Sequence, residues 1–394
     1  MARRRKPRIY DKEIYTNFGE QPYPFEIQIG YSLIPLVDEG RESNIQREIS
    51  YCRNQIDAEL GLPVPTVHIR DNVCLDPYEY SILFNGVEVG KSSVRLGYQM
   101  CLDTGNVTTQ LECSFCDKTK EPAFGMDAFY VSDEEVEKYK SAGYVCVPPE
   151  KIIGTHLCEI IRNNRTRILN QNLVNSLVEK VRKQNPDVIS DVFFYHQFSM
   201  SDMKLLLNHL LEEEVSIRDM NTILETIADN LQDRTTISEL VEKVREHLSY
   251  SFIQNYVDEN NVLHVFRVSE NITQLLADKM YVPAIKEEFP YAALEPVDRR
   301  KFINSVSSSV TWFNERNIRP VLVCVSAVRR LVVSALHREM PGVRVVSDKE
   351  LYDLGSDITI EVEGESTIDD YKQDVALSES CNWSYFSVRC NFTM

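Results

Sequence analysis

The chain has 394 residues, with 43 Lys plus Arg against 60 Asp plus Glu, a formal charge of −17 at pH 7. That anionic surplus excludes a nucleic-acid-binding surface as the main function, because phosphate neutralisation needs clustered cations and the dense basic run is confined to Arg3-Arg4-Arg5-Lys6-Pro7-Arg8. With 43% hydrophobic and 26% charged residues, no apolar run near the ~18–20 residues that cross a bilayer and no signal-peptide segment, the sequence reads as a cytosolic globular protein of about two to four compact units.

In chain order, residues 1–22 are polar and are expected to form a linker. Phe25-Glu26-Ile27-Gln28-Ile29 alternates as a half-buried strand does. Ile45, Ile49, Cys52, Ile56 and Leu60 recur at helical spacing, and Gly61 supplies the stop. Val64 to Ile69 reads as a strand. Tyr80 to Phe84 and Val87 to Val89 flank Asn85-Gly86, the strongest two-residue hairpin signal. Residues 96–145 change character, with three cysteines, several turn residues and a short acidic helix whose Ser132 and Glu135 have capping-box spacing. From 150 to 250 the pattern is helical. Leu173, Leu177, Val178 and Val181 share one face, and Met203, Leu206, Leu207 and Leu210 another. Ser216 is the expected cap of a helix carrying Met220, Ile223, Leu224 and Ile227. Thr236 with Glu239 makes a further capping box.

Val321 to Val325 is a continuous apolar run, as a fully buried strand is. Ser326 is expected to cap the following helix, and Val343 to Val346 supplies the next strand, a β-α-β unit. Ile358 to Val362 adds a further strand. The expected fold is therefore α+β and multidomain. A mixed α/β first subdomain (23–95 plus 146–167) carries a small inserted α/β subdomain (96–145). A helical subdomain (168–250), a C-terminal α/β subdomain with the β-α-β unit (251–364) and a flexible tail (365–394) follow.

Signs of catalysis are weak. Gly86-Val87-Glu88-Val89-Gly90-Lys91-Ser92 has three residues between its glycines where a phosphate loop has four, and it lies in a hairpin rather than between a strand and a helix. Cys113-Ser114-Phe115-Cys116, with Cys101 and Cys146, has the chemistry of a four-thiolate zinc site. A single C-x-x-C is more often a pair of turn thiols, and reduced thiols without metal are expected. The seven histidines are scattered. Glu212-Glu213-Glu214 reads as a solvated helix end and Arg329-Arg330 as an exposed face or an inter-subunit contact. No nucleophile, base and oxyanion donor assemble, and neither an enzyme nor a cofactor is expected. The turn Glu121-Pro122-Ala123-Phe124-Gly125 is more suggestive. A turn aromatic is usually core, but one held beside acidic residues can also make a binding dimple with a polar rim.

Several segments together resemble the cytoplasmic domain of the FlhA/LcrD family of type III secretion export-gate proteins. They are Gly30-Tyr31-Ser32-Leu33-Ile34-Pro35-Leu36-Val37, Phe84 to Gly90, Glu121 to Gly125, Gly143-Tyr144-Val145, Gly154-Thr155-His156-Leu157-Cys158-Glu159, Val215 to Ala228 and Arg319 to Cys324. The likeness covers about residues 25–364 and leans to the flagellar branch. It implies four subdomains, self-association into a nonameric ring and an upstream multi-helix region in the bacterial inner membrane. It also implies partners, namely export chaperone–cargo complexes and the export ATPase complex with its stalk. In this family an acidic residue, a Phe and a Thr serve docking in the cleft between the first two subdomains. By motif they fall on Glu121, Phe124 and Thr155, with Phe124 as anchor and the other two on its rim.

Overall fold

The computed structural model describes residues 23–37, 44–111, 118–232, 235–284, 289–352, 354–355 and 357–368. The expected linker, Cys113, Cys116 and most of the expected tail lie outside the described residues. Contacts divide the chain into two units, Met1–Ile168 and Leu169–Met394.

The first unit holds two four-stranded sheets. β1 (Phe25–Ile29) leads into a 3₁₀ turn (Tyr31–Leu36) and then α1 (Asn44–Leu60), which buries Ile45, Ile49, Cys52, Ile56 and Leu60 as the periodicity requires. Gly61 ends it with φ +66° and an N–H bond to the Asp57 carbonyl. β2 (Val67–Asp71) starts three residues later than the apolar run suggested and runs parallel to β1. β3 (Glu79–Phe84) and β4 (Val87–Ser93) form the expected hairpin, with Asn85 and Gly86 both at positive φ, completing the order β2-β1-β3-β4. The phosphate-loop lookalike is thus a strand.

The second sheet comprises β5 (Tyr98–Leu102), β6 (Lys118–Lys120), β7 (Asp127–Ser132) and β8 (Val145–Val147) in the order β6-β7-β5-β8, with α2 (Val136–Ser141) against it. Cys101, Val131, Val136, Tyr139, Ala142 and Tyr144 form its small core. Cys146 pairs with Cys101 across β5–β8, so the inserted sheet keeps the chain through Val147. The expected capping box at α2 is absent. Ser132 closes β7, and Glu135 occupies the N-cap without a side-chain bond. α3 (Pro149–Asn163) and α4 (Arg165–Ile168) then return to the first sheet's helical layer.

The second unit begins with α5 (Gln171–Gln184), α6 (Pro186–Ser190), a π-turn (Asp191–Tyr195), α7 (Met200–Glu212), α8 (Met220–Asn230) and α9 (Ile237–Ile253). The full Thr236–Glu239 capping box opens α9. α8 starts at Met220, and Asp219, not Ser216, caps it by accepting from the Thr222 N–H. β9 (Val262–Val268), α10 (Glu270–Asp278), a two-strand ribbon of β10 (Met280–Tyr281) and β11 (Tyr291–Ala292), α11 (Pro296–Glu315), β12 (Val321–Cys324), α12 (Ser326–Leu336), β13 (Arg344–Ser347), α13 (Asp348–Tyr352) and β14 (Thr359–Ser366) complete it. The sheet order is β13-β12-β9-β14, all parallel, with the expected β-α-β unit at β12-α12-β13. Its core gathers Phe266, Phe302, Phe313, Leu322 and Val332. Ser326 does not cap α12 with its side chain; the Asp348 carboxylate takes the Ser326 N–H at 2.8 Å. β14 runs through Ser366, and Ile368 is buried, so the ordered chain passes the start of the expected tail.

Two expectations about charge are overturned in this unit. Glu213 is not solvated. Its side chain is 9% exposed and meets the buried Arg329 at 2.6 Å and Arg330 at 2.8 Å. Arg329 is fully buried and also grips Glu242, while Arg245, equally buried, bonds Glu350 at 2.7 Å. The Arg245–Glu213 contact at 3.1 Å is an ion pair without hydrogen-bond alignment. Burial alone would raise the Glu213 carboxyl, but Arg329 and Arg245 outweigh it and hold it well below the usual range. Among the described residues no helix is long and apolar enough to cross a membrane.

Candidate functional site

The turn after β6 presents Phe124 to solvent. Gly125 takes φ +71°, its N–H bonds the Glu121 carbonyl at 2.9 Å, and the Glu121 N–H bonds the Met126 carbonyl at 2.8 Å. The Glu121 side chain then closes the turn from inside, accepting the Ala123 N–H at 3.0 Å and the Phe124 N–H at 2.7 Å. Such charge-assisted bonds are about twice as strong as neutral ones. Glu121 is 6% exposed whereas Phe124 is 64% exposed, so the aromatic is not core and the carboxylate is not a rim charge. The sequence missed this division of labour because a carboxylate two residues before a turn N–H can face either way.

Beneath Phe124 lies a groove of about 200 Å³ between α1 and α3, lined by Tyr51, Gln55, Thr155, Glu159 and Arg162 among others. Thr155, half-buried on α3, lines the same groove as Phe124. Glu121 does not line it. It lies on the inner side, toward His156, whose Nδ1 is 2.9 Å from the Tyr80 hydroxyl. Burial lowers His156, with the Glu121 charge opposing, and burial raises Tyr80.

The two helices of the groove run in the same sense and meet as a ladder. Asn44 donates to Glu150 at 3.1 Å across 106 residues, and the same separation recurs one turn on, where a Cβ on Gly154 would come within 2.9 Å of the Glu48 Cβ. Only glycine admits this approach, which sets the helix spacing. The next rung at that separation is Cys52 with Cys158, whose thiols hydrogen-bond in the groove floor, and Arg162 with Glu59 at 2.6 Å closes the series. The Cys52 hydrogen bond and the Arg162 charge bring the Cys158 thiol down to about 7 against its burial, while Cys52 is pushed up by the same bond and by burial. Nothing in the residue pattern alone had singled out this pair; the signal was the four-residue spacing of Glu48, Cys52 and of Gly154, Cys158.

Other candidates separate. Cys101 and Cys146 face each other with sulfurs 2.6 Å apart, both thiols raised by burial, and Cys113 and Cys116 lie outside the described residues. His264 is not isolated from carboxylates: β9–β14 pairing brings Glu361 and Glu363 to it, with candidate ligand atoms within 4.8 Å of one another. Asp258 faces its other nitrogen at 3.6 Å, so carboxylates approach both ring nitrogens. A larger cleft of about 470 Å³ lies in the helical part, lined by Tyr195, Phe198 and Thr235. Its lining also includes His196 and Asp202.

A family model described as the FHIPEP family matches residues 4–354. The flagellar biosynthesis protein FlhA of Treponema pallidum (strain Nichols) is 30% identical over 353 residues, 89% of this chain and 48% of that protein. The chain thus spans about half the length of the curated relatives it matches. Among solved structures, the Chlamydia pneumoniae CdsV protein superposes with TM-score 0.75 at 20% identity, covering 90% of this chain and 99% of that one; CdsV is also solved in complex with CdsO. The nonameric SctV-C of EPEC superposes with TM-score 0.69 at 17% identity over 89% of this chain and all of that one. At these identities the structural likeness establishes the α+β fold.

Proposed function

The chain belongs to the FHIPEP family, and from that premise we propose that it is the cytoplasmic docking platform of a type III protein export gate in a bacterial inner membrane, working by binding rather than by catalysis. Its occupants are export chaperone–cargo complexes, and its task is to order their delivery to the secretion channel. The carrying observation is Phe124, which is exposed over the α1–α3 groove yet held in a turn whose Ala123 and Phe124 N–H groups donate to the buried Glu121 carboxylate. A rigid aromatic beside a partly enclosed groove can supply the few residues that dominate an interface. Thr155 and the mixed charges of Lys151, Glu159 and Arg162 give the polar rim.

The flagellar branch is the finer reading, supported by the Treponema relative and by the Glu-Pro-Ala-Phe-Gly and Thr-His-Leu segments. Deleting the gene from a motile host should abolish motility; intact motility with loss of another secreted protein set would assign the injectisome branch. Further proposed partners are the export ATPase complex with its stalk, in line with the CdsV–CdsO complex, and eight further copies in a nonameric ring, as SctV-C forms. We propose residues 168–250 for the ring contacts, a reading supported by Phe194 and Tyr195, which are 74% and 72% exposed.

Phe124→Ala is expected to leave thermal unfolding nearly unchanged and to weaken chaperone–cargo binding at least tenfold, about 1.4 kcal/mol. Calorimetry and a binding titration on one variant check it, and unaltered binding would remove Phe124 from the interface. Glu121→Ala is expected to act differently. It strips the turn of two charge-assisted bonds, costing about 1.5–3 kcal/mol of stability, and weakens docking through disorder of Phe124. Hydrogen exchange at the Ala123 and Phe124 amides reads that loosening directly.

A further inference from the structure

We infer that Cys158 and Cys52 form a thiol–disulfide couple in the floor of the α1–α3 groove, a modification site that takes small-molecule disulfides and links the two helices covalently beneath Phe124. The geometry supplies each part. The thiols occupy matching positions on adjacent helices whose spacing is fixed one turn earlier by the Gly154–Glu48 contact. Both line the groove. Cys158 is half-buried, within reach of a small reagent, whereas Cys52 is buried behind it. Arg162 stands beside Cys158, tied on its other side to Glu59. A cation and a donor thiol next to a partly accessible sulfur are the conditions that favour thiolate and hence attack.

The chemistry balances without any group beyond the named reagent. The Cys158 thiolate attacks one sulfur of a small disulfide of the oxidised-glutathione class. A protein–small-thiol disulfide forms, the reagent's own S–S bond breaks, and the departing thiolate takes a proton from water. Capping Cys158 removes the charge that holds the Cys52 proton in place. Cys52 then loses that proton to water and attacks the Cys158 sulfur, expelling the second small thiol. Two protein thiols have been oxidised by two electrons and one disulfide reduced to two thiols. A disulfide needs Cα atoms about 4.4–6.8 Å apart. Its closure therefore ties α1 to α3 covalently and removes the Cys158 thiolate from the floor of the groove that Tyr51 and Thr155 also line.

The consequence for docking rests on the function proposed above; the couple itself does not. The chain is treated with oxidised glutathione near neutral pH, then digested and mapped without reduction. The expected product is a Cys52–Cys158 cross-linked peptide with loss of two hydrogen masses, and iodoacetamide alkylation of Cys158 should rise with pH about a midpoint near 7. Cys52→Ser should stop at a stable glutathione adduct on Cys158. A cross-link confined to Cys101–Cys146, or adducts at the exposed Cys74 with Cys158 unmodified, overturns the couple. Oxidised and reduced chain are then titrated with a chaperone–cargo complex. At least tenfold weaker binding by the oxidised form is expected, and equal binding overturns the gating. A cross-linked chain whose reduced form binds nothing leaves the couple standing and defeats the docking reading of the groove instead.

Discussion

Glu213→Gln is expected to destabilise the second unit by about 3–5 kcal/mol, as removal of one partner from a buried ion pair does. The carboxylate lies among Arg245, Arg329 and Arg330, and its backbone carbonyl takes the Arg344 guanidinium as well. Glu242 and Glu350 remain in the variant, but each already serves Arg329 or Arg245. Three guanidinium groups, two of them fully buried, would then face only two carboxylates. The cost also has a pH signature. Glu213 is held below the ordinary glutamate value of 4.5 in the folded chain, so it binds fewer protons there than in the unfolded chain. Its contribution is full above that value and is lost as pH falls through the lower folded one. Urea titrations of the two proteins, followed by tryptophan fluorescence, should differ by a constant amount at neutral pH and converge in strong acid. A neutral-pH difference under about 1 kcal/mol would mean that water reaches the arginines.

Gly30→Ala should cost the first unit about 3 kcal/mol or more, at the top of the range for overpacking. The cause is not backbone conformation, since Gly30 has φ −68° and ψ 158°, which any residue adopts. A Cβ there would lie 2.1 Å from the Asp76 carbonyl oxygen and 2.6 Å from that of Pro77. Both are backbone atoms, and the Gly30 and Ser32 N–H groups bond the Glu79 and Pro77 carbonyls at 2.8 and 3.0 Å, so neither segment can retreat without losing them. Gly125→Ala offers the contrast. Its positive φ carries a penalty of about 1–2 kcal/mol, but nothing stands within 4 Å of the added carbon. Far-ultraviolet circular dichroism during denaturant unfolding ranks the two, and an equal or smaller loss for Gly30→Ala would contradict the steric account.

Local signals carried most of the fold. The strand at Phe25, the helix stopped by Gly61, the Asn85-Gly86 hairpin and the Thr236–Glu239 box each depend on residues within one or two turns. What was not legible depends on partners far along the chain. Glu213 read as solvated because its arginine is 116 residues away. Ser326 read as a cap because the carboxylate that does the capping is 22 residues on. At the groove, the family likeness brought out Phe124 and Thr155 together. It did not reveal that Glu121 works from beneath the turn, because that follows only from which way the side chain faces. The Cys52–Cys158 rung became visible once two helices of separate sequence regions lay side by side.

The parallel sheet of the second unit has a consequence for synthesis. Its central strand β9 pairs on one flank with β12 and on the other with β14, whose residues are nearly 100 positions further on; His264 meets Glu363 across 99 residues. At ribosomal rates of about 5–20 residues per second, that interval lasts on the order of 5–20 s. The helices up to α9 can form meanwhile from nearby contacts, but one edge of β9 stays unpaired until β14 leaves the exit tunnel. The nascent chain thus passes through a state with an open strand edge, the form most prone to pairing with a neighbour on the same messenger. For those seconds residues 262–268 present the edge that a general chaperone would have to cover.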